Sequence, residues 1–193
     1  MAKPLRILFT VAEATPLAKV GGLADVAGSL PQALRRRGHD VRLIMPRYAS
    51  VTGQFAPVGQ AFPVPMMGGQ ESASLGQTSL NGDVPVYLVE NQRYFQRQAV
   101  YGEPDDLERF TFFSQAVVEA TKQLGWQPDI LHGHDWHAGL TVALVADSRR
   151  QSAPSARCAT VFTIHNLAYQ GWFDGPYASR AGLAPLLPAS PPL

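Results

Sequence analysis

Apolar residues along the chain fall alternately in short continuous runs and at helical spacing, which predicts a β-α-β order of elements. Arg6–Ala12 is a short apolar run bounded by polar residues, typical of a buried strand. Apolar side chains then recur at helical spacing from about Gly22 to Arg37, and Gly38 follows as a helix-ending residue. Val41–Met45 is a second buried run. Because a helix crosses from one strand to the next, the two strands are expected to be parallel.

The same alternation continues after one less regular stretch. Residues 48–82 are rich in Gly, Pro, Ser and Gln, and their short alternating pieces Ala61–Pro65 and Ser72–Leu80 predict a β-ribbon or a loop excursion. Pro31 is expected to kink or restart the first helix. Further strands are predicted at Val84–Val89, Asp129–His132 and Ala159–Ile164, and further helices at about Asp105–Leu124 and Ala138–Ala146. The chain is therefore predicted to form a doubly wound, mostly parallel α/β sheet.

Length and composition indicate the size of the domain and exclude some classes of partner. The chain has 193 residues, 46% of them hydrophobic, which is enough for one sizeable α/β domain. A formal net charge of +1 gives no electrostatic case for nucleic acid or an anionic membrane as the main partner. The single cysteine, Cys158, excludes an intrachain disulfide framework and fits a reducing compartment. No apolar run approaches the length of a membrane span, so we expect a soluble cytoplasmic protein.

A cation and two adjacent glycines, in Lys19–Leu23, lie where the first strand hands over to the first helix. Glycine lets the backbone turn sharply and lets a ligand approach the main chain. The start of a helix adds unpaired N–H groups and the positive end of the helix dipole, and Lys19 adds a full charge. This pattern favours a phosphate site, with a plain tight turn as the alternative. It matches neither the P-loop nor the G-x-G-x-x-G dinucleotide fingerprint.

Three predicted strands end in unusually polar loops, at residues 13–22, 132–137 and 165–171. In an open parallel sheet, ligands bind outside the carboxyl ends of the strands. The predicted topology places all three loops on the same edge of the sheet, although they are distant in sequence. This convergence predicts a functional cleft at that edge.

The second of these loops carries a run of histidines. His132, His134 and His137, together with Asp135, have a spacing that suggests a metal site, but no H-E-x-x-H or C-x-x-C motif supports it. We expect His132 and His134 instead to satisfy buried backbone groups at the strand end. Asp135 and His137 lie further out and are the better candidates for contact with a ligand. Asp135 is also placed to cap the next helix.

His165 and Asn166 follow directly after the last buried strand. An imidazole and a carboxamide at such a position can hydrogen-bond the hydroxyl groups of a sugar, or orient a reacting group. An isolated histidine would more simply be a satisfied core residue. Because this pair faces Lys19 and Asp135 across the predicted cleft, we favour a functional role.

Four segments of the chain resemble one family. The segments AEATPLAKVGGLADVAGSLPQAL, HGHDWHAGL and FTIHNLAYQGWF are similar to the N-terminal half of bacterial glycogen synthases and plant starch synthases. The segment YFQRQAVYGEPDDLERFTFFSQA resembles that family's tyrosine-bearing loop and the helix after it. The resemblance runs from Arg6 to about Gly182. It implies a retaining GT-B glycosyltransferase with two Rossmann-like domains, which transfers glucose from ADP-glucose to the non-reducing end of an α-1,4-glucan.

The resemblance also implies roles for residues near the glycine turn. Lys19 would contact the phosphates of the sugar nucleotide and act as a catalytic cation, aided by the amides of Gly21 and Gly22. Asp25, in the first turn of the helix, would position this motif or the acceptor. The tyrosines implied to face the cleft from the flexible loop are Tyr101 and, on weaker similarity, Tyr94.

The other implied site residues belong to the two later loops. His165 would hold the transferred glucose and stabilise its oxocarbenium-like centre, with Asn166 beside it. Asp135, also catalytic, and His137 would line the sugar pocket near the acceptor. The resemblance implies no metal ion and no cofactor besides the donor substrate ADP-glucose.

The resemblance finally implies a domain organisation. Residues 1–182 would form the N-terminal Rossmann-like domain, and residues 183–193 a Pro-rich unstructured tail or the remnant of a truncation, while the C-terminal nucleotide-binding domain is absent. The chain alone is then expected to transfer glucose feebly or not at all. The alternatives left open are a non-catalytic glucan-binding or regulatory module, UDP-glucose rather than ADP-glucose as donor, and the plastid stroma as the location in a plant-type source. A nicotinamide-dependent dehydrogenase fits poorly, because the second strand ends in Met45-Pro46-Arg47 without an acidic residue.

Overall fold

An eight-stranded mixed sheet with four helices makes up the part of the chain that the computed structural model describes, residues 3–150 and 158–171. At 148–150 only the backbone is described. The strands are β1 (Arg6–Thr10), β2 (Asp40–Pro46), β3 (Ala56–Pro57), β4 (Phe62–Met66), β5 (Gly69–Leu80), β6 (Val84–Glu90), β7 (Ile130–His134) and β8 (Ala159–Thr163). The helices are α1 (Gly22–Arg36), α2 (Gln92–Phe95), α3 (Asp106–Gln123) and α4 (Trp136–Arg150).

Five neighbouring strands of this sheet run parallel, in the order β6-β2-β1-β7-β8. Within it β1 lies between two partners, where Ile7 pairs with Val41 of β2 on one side and with Ile130 of β7 on the other. The chain leaves β1 toward β2 and leaves β7 toward β8, so the direction of winding reverses between β1 and β7. Ligands of doubly wound sheets bind at such a reversal, outside the carboxyl ends of the strands.

Beyond β6 the sheet continues with antiparallel strands. β5 pairs with β6 along its second half, and β3 and β4 each pair with β5. The predicted ribbon in residues 48–82 is confirmed as β4 and β5, but β5 is also a member of the main sheet. The sequence pattern predicts neither β3 nor α2, because elements of two and four residues are too short to show a period.

Crossovers between parallel strands are right-handed, and the β1–β2 and β7–β8 crossovers run in opposite directions along the sheet. Helices therefore cover both faces of the sheet. α1 packs against β2 and β6, whereas α3 and α4 pack against each other. Strands β1 and β6 are almost wholly buried, which is why their sequences read as continuous apolar runs rather than as alternating ones. The doubly wound α/β fold predicted from the sequence is thus confirmed.

α1 forms where the apolar spacing predicts it, but it continues through Pro31 instead of restarting there. Pro31 is buried, together with Leu23 and Ala27, which shows that the apolar stripe of this helix faces the sheet. Gly38 follows the helix with φ of 92°, and its N–H donates to the carbonyl of Arg35 at 2.8 Å. This left-handed geometry is the reason a glycine ends the helix.

Three expectations about the rest of the chain have different outcomes. The apolar residues that follow Cys158 in the sequence predict a buried thiol, and Cys158 is buried, directly before β8. The predicted domain boundary at 182 and the Pro-rich segment 183–193 lie outside the described residues. Among the helices of the described ranges, none is long and apolar enough to cross a membrane.

Gly133 on β7 marks a close approach between the sheet and α4. A Cβ atom added at Gly133 would lie 2.5 Å from Cγ2 of Val142 and 3.2 Å from the carbonyl oxygen of Ala138. A side chain at this position would therefore push α4 away from the sheet. Gly139, within α4, has room by contrast, because its added Cβ would first meet the ring of Phe162 at 3.7 Å.

We predict that Gly133→Ala lowers the free energy of unfolding by about 1–3 kcal/mol, the usual cost of overpacking a core. Gly139→Ala is the matched control, and it should raise the free energy of unfolding by up to about 1 kcal/mol because alanine replaces glycine in a helix interior. Urea unfolding followed by far-ultraviolet circular dichroism measures both. Equal unfolding midpoints for the two variants would contradict this account of the packing.

Candidate active site

A pocket of about 780 Å³ opens at the edge of the sheet where the winding reverses. The structure brings together here the loops after β1, β7 and β8, as the predicted topology requires, and adds the segment between α2 and α3. The lining residues are Glu13 and Val20–Leu23 after β1, Tyr101, Gly102 and Asp106 before and within α3, Asp135–His137 after β7, and His165, Asn166, Tyr169 and Gly171 after β8.

A buried carboxylate, Glu13, shapes the glycine turn. Its side chain is only 1% exposed, and it accepts hydrogen bonds from the backbone N–H of Val20 and, at 3.0 Å, from that of Gly21. The hydroxyl of Tyr101 lies 3.4 Å from its other oxygen. Buried carboxylates require several such donors, and here the donors are the turn itself.

This arrangement revises the expectation for the turn amides. Because the Gly21 N–H already donates to Glu13, it is not free to bind a phosphate. α1 begins at Gly22 with no side-chain cap, so its first-turn amides remain available to an anion. Sequence reasoning missed Glu13. The signal in the sequence is that a carboxylate directly follows the apolar residues Val11 and Ala12, so that Glu13 lies in a buried stretch rather than in one that faces solvent.

Lys19 is held beside the turn by an ion pair with Asp25. The Lys19 Nζ lies 2.7 and 2.9 Å from the two carboxylate oxygens, and this cation lowers the pKa of Asp25. Both side chains are more than half exposed, at 53% and 57%, and neither is among those that line the pocket. An exposed pair of this kind is well screened by water, so Lys19 can exchange Asp25 for another anion at little cost.

Asp135 connects two of the site loops. It has φ of 55°, a left-handed conformation that aspartate and asparagine tolerate better than other residues with a Cβ atom. Its N–H donates to the carbonyl of Thr163 at 2.9 Å, and its Oδ1 accepts from the N–H of His165 at 2.7 Å. Among the hydrogen bonds of the described residues, Asp135 contacts α4 through its backbone carbonyl, which accepts from the Ala138 N–H at 3.1 Å, whereas its side chain accepts from His165.

His132 and His134 bind side chains rather than the backbone groups predicted from the sequence. The Nε2 of His132 lies 2.7 Å from the hydroxyl of Thr163, and the Nδ1 of His134 lies 2.9 Å from the Nε2 of His165. The reason is the register of the β7–β8 pair, which sets His132 opposite Val161 and His134 opposite Thr163. Each histidine therefore reaches the side chain two residues beyond its register partner. Burial, followed by the neighbouring His132 and His165, lowers the pKa of His134 to about 3. Its imidazole is therefore neutral at physiological pH.

His137 lines the pocket within an aromatic enclosure. Its ring centroid lies 4.9 Å from that of Tyr101, 4.6 Å from Phe110 and 4.1 Å from Trp136. Both of its ring nitrogens are buried and have no hydrogen-bond partner among the residues that the structure describes. Burial, and secondarily the cation of Arg109, lowers the pKa of His137 to about 3. The ring is therefore neutral and presents one unsatisfied donor and one unsatisfied acceptor.

The two candidate tyrosines separate in the structure. Tyr101 lines the pocket, and burial followed by the charge of Glu13 raises its pKa to about 12, so it is a hydroxyl donor. Tyr94 is buried against Phe112 at 4.7 Å, and its hydroxyl donates to Glu108 at 2.8 Å. Tyr94 does not line the pocket.

A buried cation fixes the segment that carries Tyr101. Arg109 on α3 is fully buried, and its Nη1 lies 2.6 Å from Oδ1 of Asp106. Its Nε and Nη2 donate to the carbonyls of Tyr94 and Ala99, at 2.9 and 3.2 Å. One guanidinium thus pins both ends of the loop that leads into the pocket wall.

Asn166 lines the pocket, and its Oδ1 accepts from the N–H of Ala168 at 2.9 Å. That hydrogen bond shapes the turn after His165 and leaves the amide nitrogen of Asn166 for a ligand. Among residues 3–150 and 158–171, no three His, Cys, Asp or Glu side chains are grouped so that they could hold a metal ion.

Fold and site together define a Rossmann-like domain whose ligand pocket lies at the topological reversal of its sheet. Residues 6–189 match the family described as "Starch synthase catalytic domain", and the chain belongs to this family. It is 47% identical over 176 residues to a glycogen synthase of Moorella thermoacetica, covering 90% of this chain and 36% of that protein. A glycogen synthase of Syntrophotalea carbinolica is 44% identical over 191 residues, covering 95% of this chain and 39% of that protein.

A solved structure agrees with this assignment. The catalytic domain of starch synthase IV from Arabidopsis thaliana, bound to ADP and acarbose, superposes with a TM-score of 0.81 at 34% sequence identity. The match covers 88% of this chain and 35% of that one. The chain thus spans between a third and two fifths of the length of the relatives that it matches.

We predict that His137→Phe raises the free energy of unfolding, because it keeps the aromatic contacts and removes two buried unpartnered nitrogens. The gain should grow on acidification. The folded-state pKa of His137 lies below its unfolded value of 6.5. The part of the free energy of unfolding that depends on a neutral His137 is therefore fully present above pH 6.5 and is lost as pH falls toward 3. At pH 5 the extra advantage of the variant should reach about 2 kcal/mol. Urea unfolding at pH 7.5 and pH 5 measures this, and parallel pH dependences would contradict it.

We also predict that Asp135→Asn folds as stably as the wild type, because asparagine tolerates the left-handed backbone and keeps the acceptor for the His165 N–H. Asp135→Ala loses both and should be less stable by about 1–3 kcal/mol. Thermal and urea unfolding of the two variants test this. Similar losses of stability in both would show that the charge, rather than the geometry, holds the two loops together.

Proposed function

We propose that this chain is the N-terminal domain of a retaining glucosyltransferase that uses ADP-glucose as donor and the non-reducing end of an α-1,4-glucan as acceptor. The observation that carries the proposal is the pocket at the reversal of the sheet, whose walls are the three loops that bear the family motifs. Its lining combines imidazoles, carboxylates and aromatic faces, a set that suits the hydroxyl groups and carbon face of a glucose unit.

In this proposal the loops after β7 and β8 bind the sugar. His137 offers its unsatisfied donor and acceptor to hydroxyl groups, and a bound glucan relieves the cost of burying them. The carboxylate of Asp135 accepts a sugar hydroxyl, while His165 and Asn166 hold the transferred glucose from the opposite loop. Because the imidazole of His137 is neutral, its role is to position the sugar by hydrogen bonds rather than to transfer a proton.

The loop after β1 stabilises the departing nucleotide. Negative charge develops on ADP as the bond to glucose breaks, and a fixed cation and a helix N-terminus at that point lower the barrier. Lys19 supplies the cation after leaving Asp25, and the uncapped first turn of α1 from Gly22 supplies the amides. Asp25 then serves to hold Lys19 ready before the donor arrives.

A second domain completes the cleft. In this proposal residues 1–182 are assigned to one of two domains, and the relatives, which are more than twice as long, have chain enough for the other. Closure of two domains positions the donor and excludes water. We assign no metal and no cofactor to the reaction, no nucleic acid or membrane as partner, and a cytoplasmic location in keeping with the single buried thiol of Cys158.

The test is glucose transfer. The 193-residue chain, incubated with labelled ADP-glucose and glycogen, should incorporate little or no label, whereas its fusion to the remainder of the Moorella thermoacetica relative should be active. In that fusion Lys19→Ala should lower kcat/KM at least about 100-fold, as expected for loss of a charge that stabilises the leaving group. Lys122→Ala is the matched control, because Lys122 is an exposed lysine paired with Glu119 on α3.

Two outcomes would contradict the proposal. Robust transfer by the 193-residue chain alone would show that a second domain is not needed. A fusion that binds maltooligosaccharides equally well with and without Lys19→Ala, but never transfers glucose, would instead favour a glucan-binding module.

A further inference from the structure

Three imidazoles form a continuous line from the pocket wall into the core. His165 lines the pocket, and its Nε2 lies 2.9 Å from the Nδ1 of His134, with the two rings stacked at 18°. His134 is fully buried and packs against the rings of Phe9 and His132, whose centroids lie 5.1 and 4.1 Å away. Its remaining nitrogen, Nε2, is buried, and no group in the described part of the chain hydrogen-bonds it.

The hydrogen bond between His134 and His165 allows two arrangements of protons. Two neutral imidazoles share one proton across such a bond, so one ring donates and the other accepts. In the first arrangement, Nδ1–H of His134 donates to Nε2 of His165, and His165 carries its own proton on Nδ1. In the second, Nε2–H of His165 donates to His134, which must then carry its proton on Nε2.

The surroundings of His134 Nε2 decide between them. The second arrangement puts an N–H donor at a buried position with no acceptor, beside the apolar ring of Phe9. The first leaves only a lone pair there. Buried N–H groups without an acceptor are rarer in proteins than acceptors that lack a donor, which indicates the larger cost of the orphaned donor. The first arrangement is therefore favoured.

We propose that His134 is a positioning residue that fixes His165 in the Nδ1–H tautomer and so makes it a hydrogen-bond donor toward the pocket. Since Nε2 of His165 is occupied by His134, Nδ1 is the ring nitrogen left for a ligand. The partner it selects is an oxygen atom that accepts. That this atom is a glucose hydroxyl rests on the proposed function, but the tautomer itself does not.

The N–H donor of His165 then complements the hydrogen-bond acceptors that line the same pocket. Glu13 and Asp135 contribute carboxylate acceptors to the same pocket, so a donor at His165 lets one ligand both give and receive hydrogen bonds. His132 does not decide the tautomer, because its partner, the Thr163 hydroxyl, can either donate or accept.

Nitrogen NMR of the imidazole rings tests this on the 193-residue chain itself. Long-range ¹⁵N–¹H correlation distinguishes Nδ1–H from Nε2–H in each of the five histidines at pH 8. We expect both His134 and His165 to be Nδ1–H tautomers, assigned by single substitutions. A His165 ring protonated on Nε2, or a mixture of the two tautomers, would overturn the proposal.

Variants separate the effect of His134 from that of its surroundings. His134→Phe removes the partner of His165, and the Nε2–H population of His165 should then rise from undetectable to a major fraction. His132→Gln is the control that leaves the His134–His165 bond in place, and it should keep His165 as Nδ1–H. An unchanged His165 in His134→Phe would contradict the assigned role, and the wild-type spectrum decides the tautomer even if that variant fails to fold.

Adding maltooligosaccharide distinguishes this inference from the proposed function. A shift of the His165 Nδ1 resonance on binding supports a sugar hydroxyl as the acceptor. Nδ1–H tautomers that maltooligosaccharide leaves unmoved would uphold the role of His134 and count against the glucan as ligand.

Discussion

The buried carboxylate of Glu13 is the constraint on which the pocket depends. A charge removed from water must be met by several hydrogen-bond donors, and the donors available are the amides of Val20 and Gly21 and the hydroxyl of Tyr101. Meeting that need bends the glycine turn inward and draws the Tyr101 segment toward it. Two walls of the site are therefore set by one side chain that need not touch a ligand to matter.

A second buried charge acts from the other side of the same wall. Arg109 binds Asp106 and the carbonyls of Tyr94 and Ala99, and these contacts fix the loop before α3. Glu13 binds the hydroxyl of Tyr101 in the same loop. Breaking either set leaves an uncompensated buried charge, which is a large penalty. Buried charges thus hold the pocket wall next to the glycine turn, whereas the Lys19–Asp25 pair is exposed and can rearrange.

Much of the fold follows from periodicity, and much of the site does not. Apolar runs and helical spacing predict β1, β2, β6, β7, β8 and three of the four described helices, and their parallel order places the three motif loops on one edge. Periodicity predicts β4 and β5 only as a ribbon or a loop excursion, because the Gly- and Ser-rich sequence of β5 alternates weakly, and it does not predict that β5 joins the main sheet. The partners of Glu13, Asp135 and His134 depend on strand register and loop conformation. Those are tertiary quantities, and a one-residue slip between β7 and β8 would change every one of the histidine contacts.

The pairing of β1 with β7 also sets the order in which the protein can mature on the ribosome. Arg6, at the start of β1, hydrogen-bonds Asp129, which is synthesised 123 residues later. At 5–20 residues per second that interval lasts roughly 6–25 s. Throughout it the glycine turn and its buried carboxylate exist without the strands that enclose them. The nascent chain must therefore reach residue 171 before all the residues that line the pocket are present.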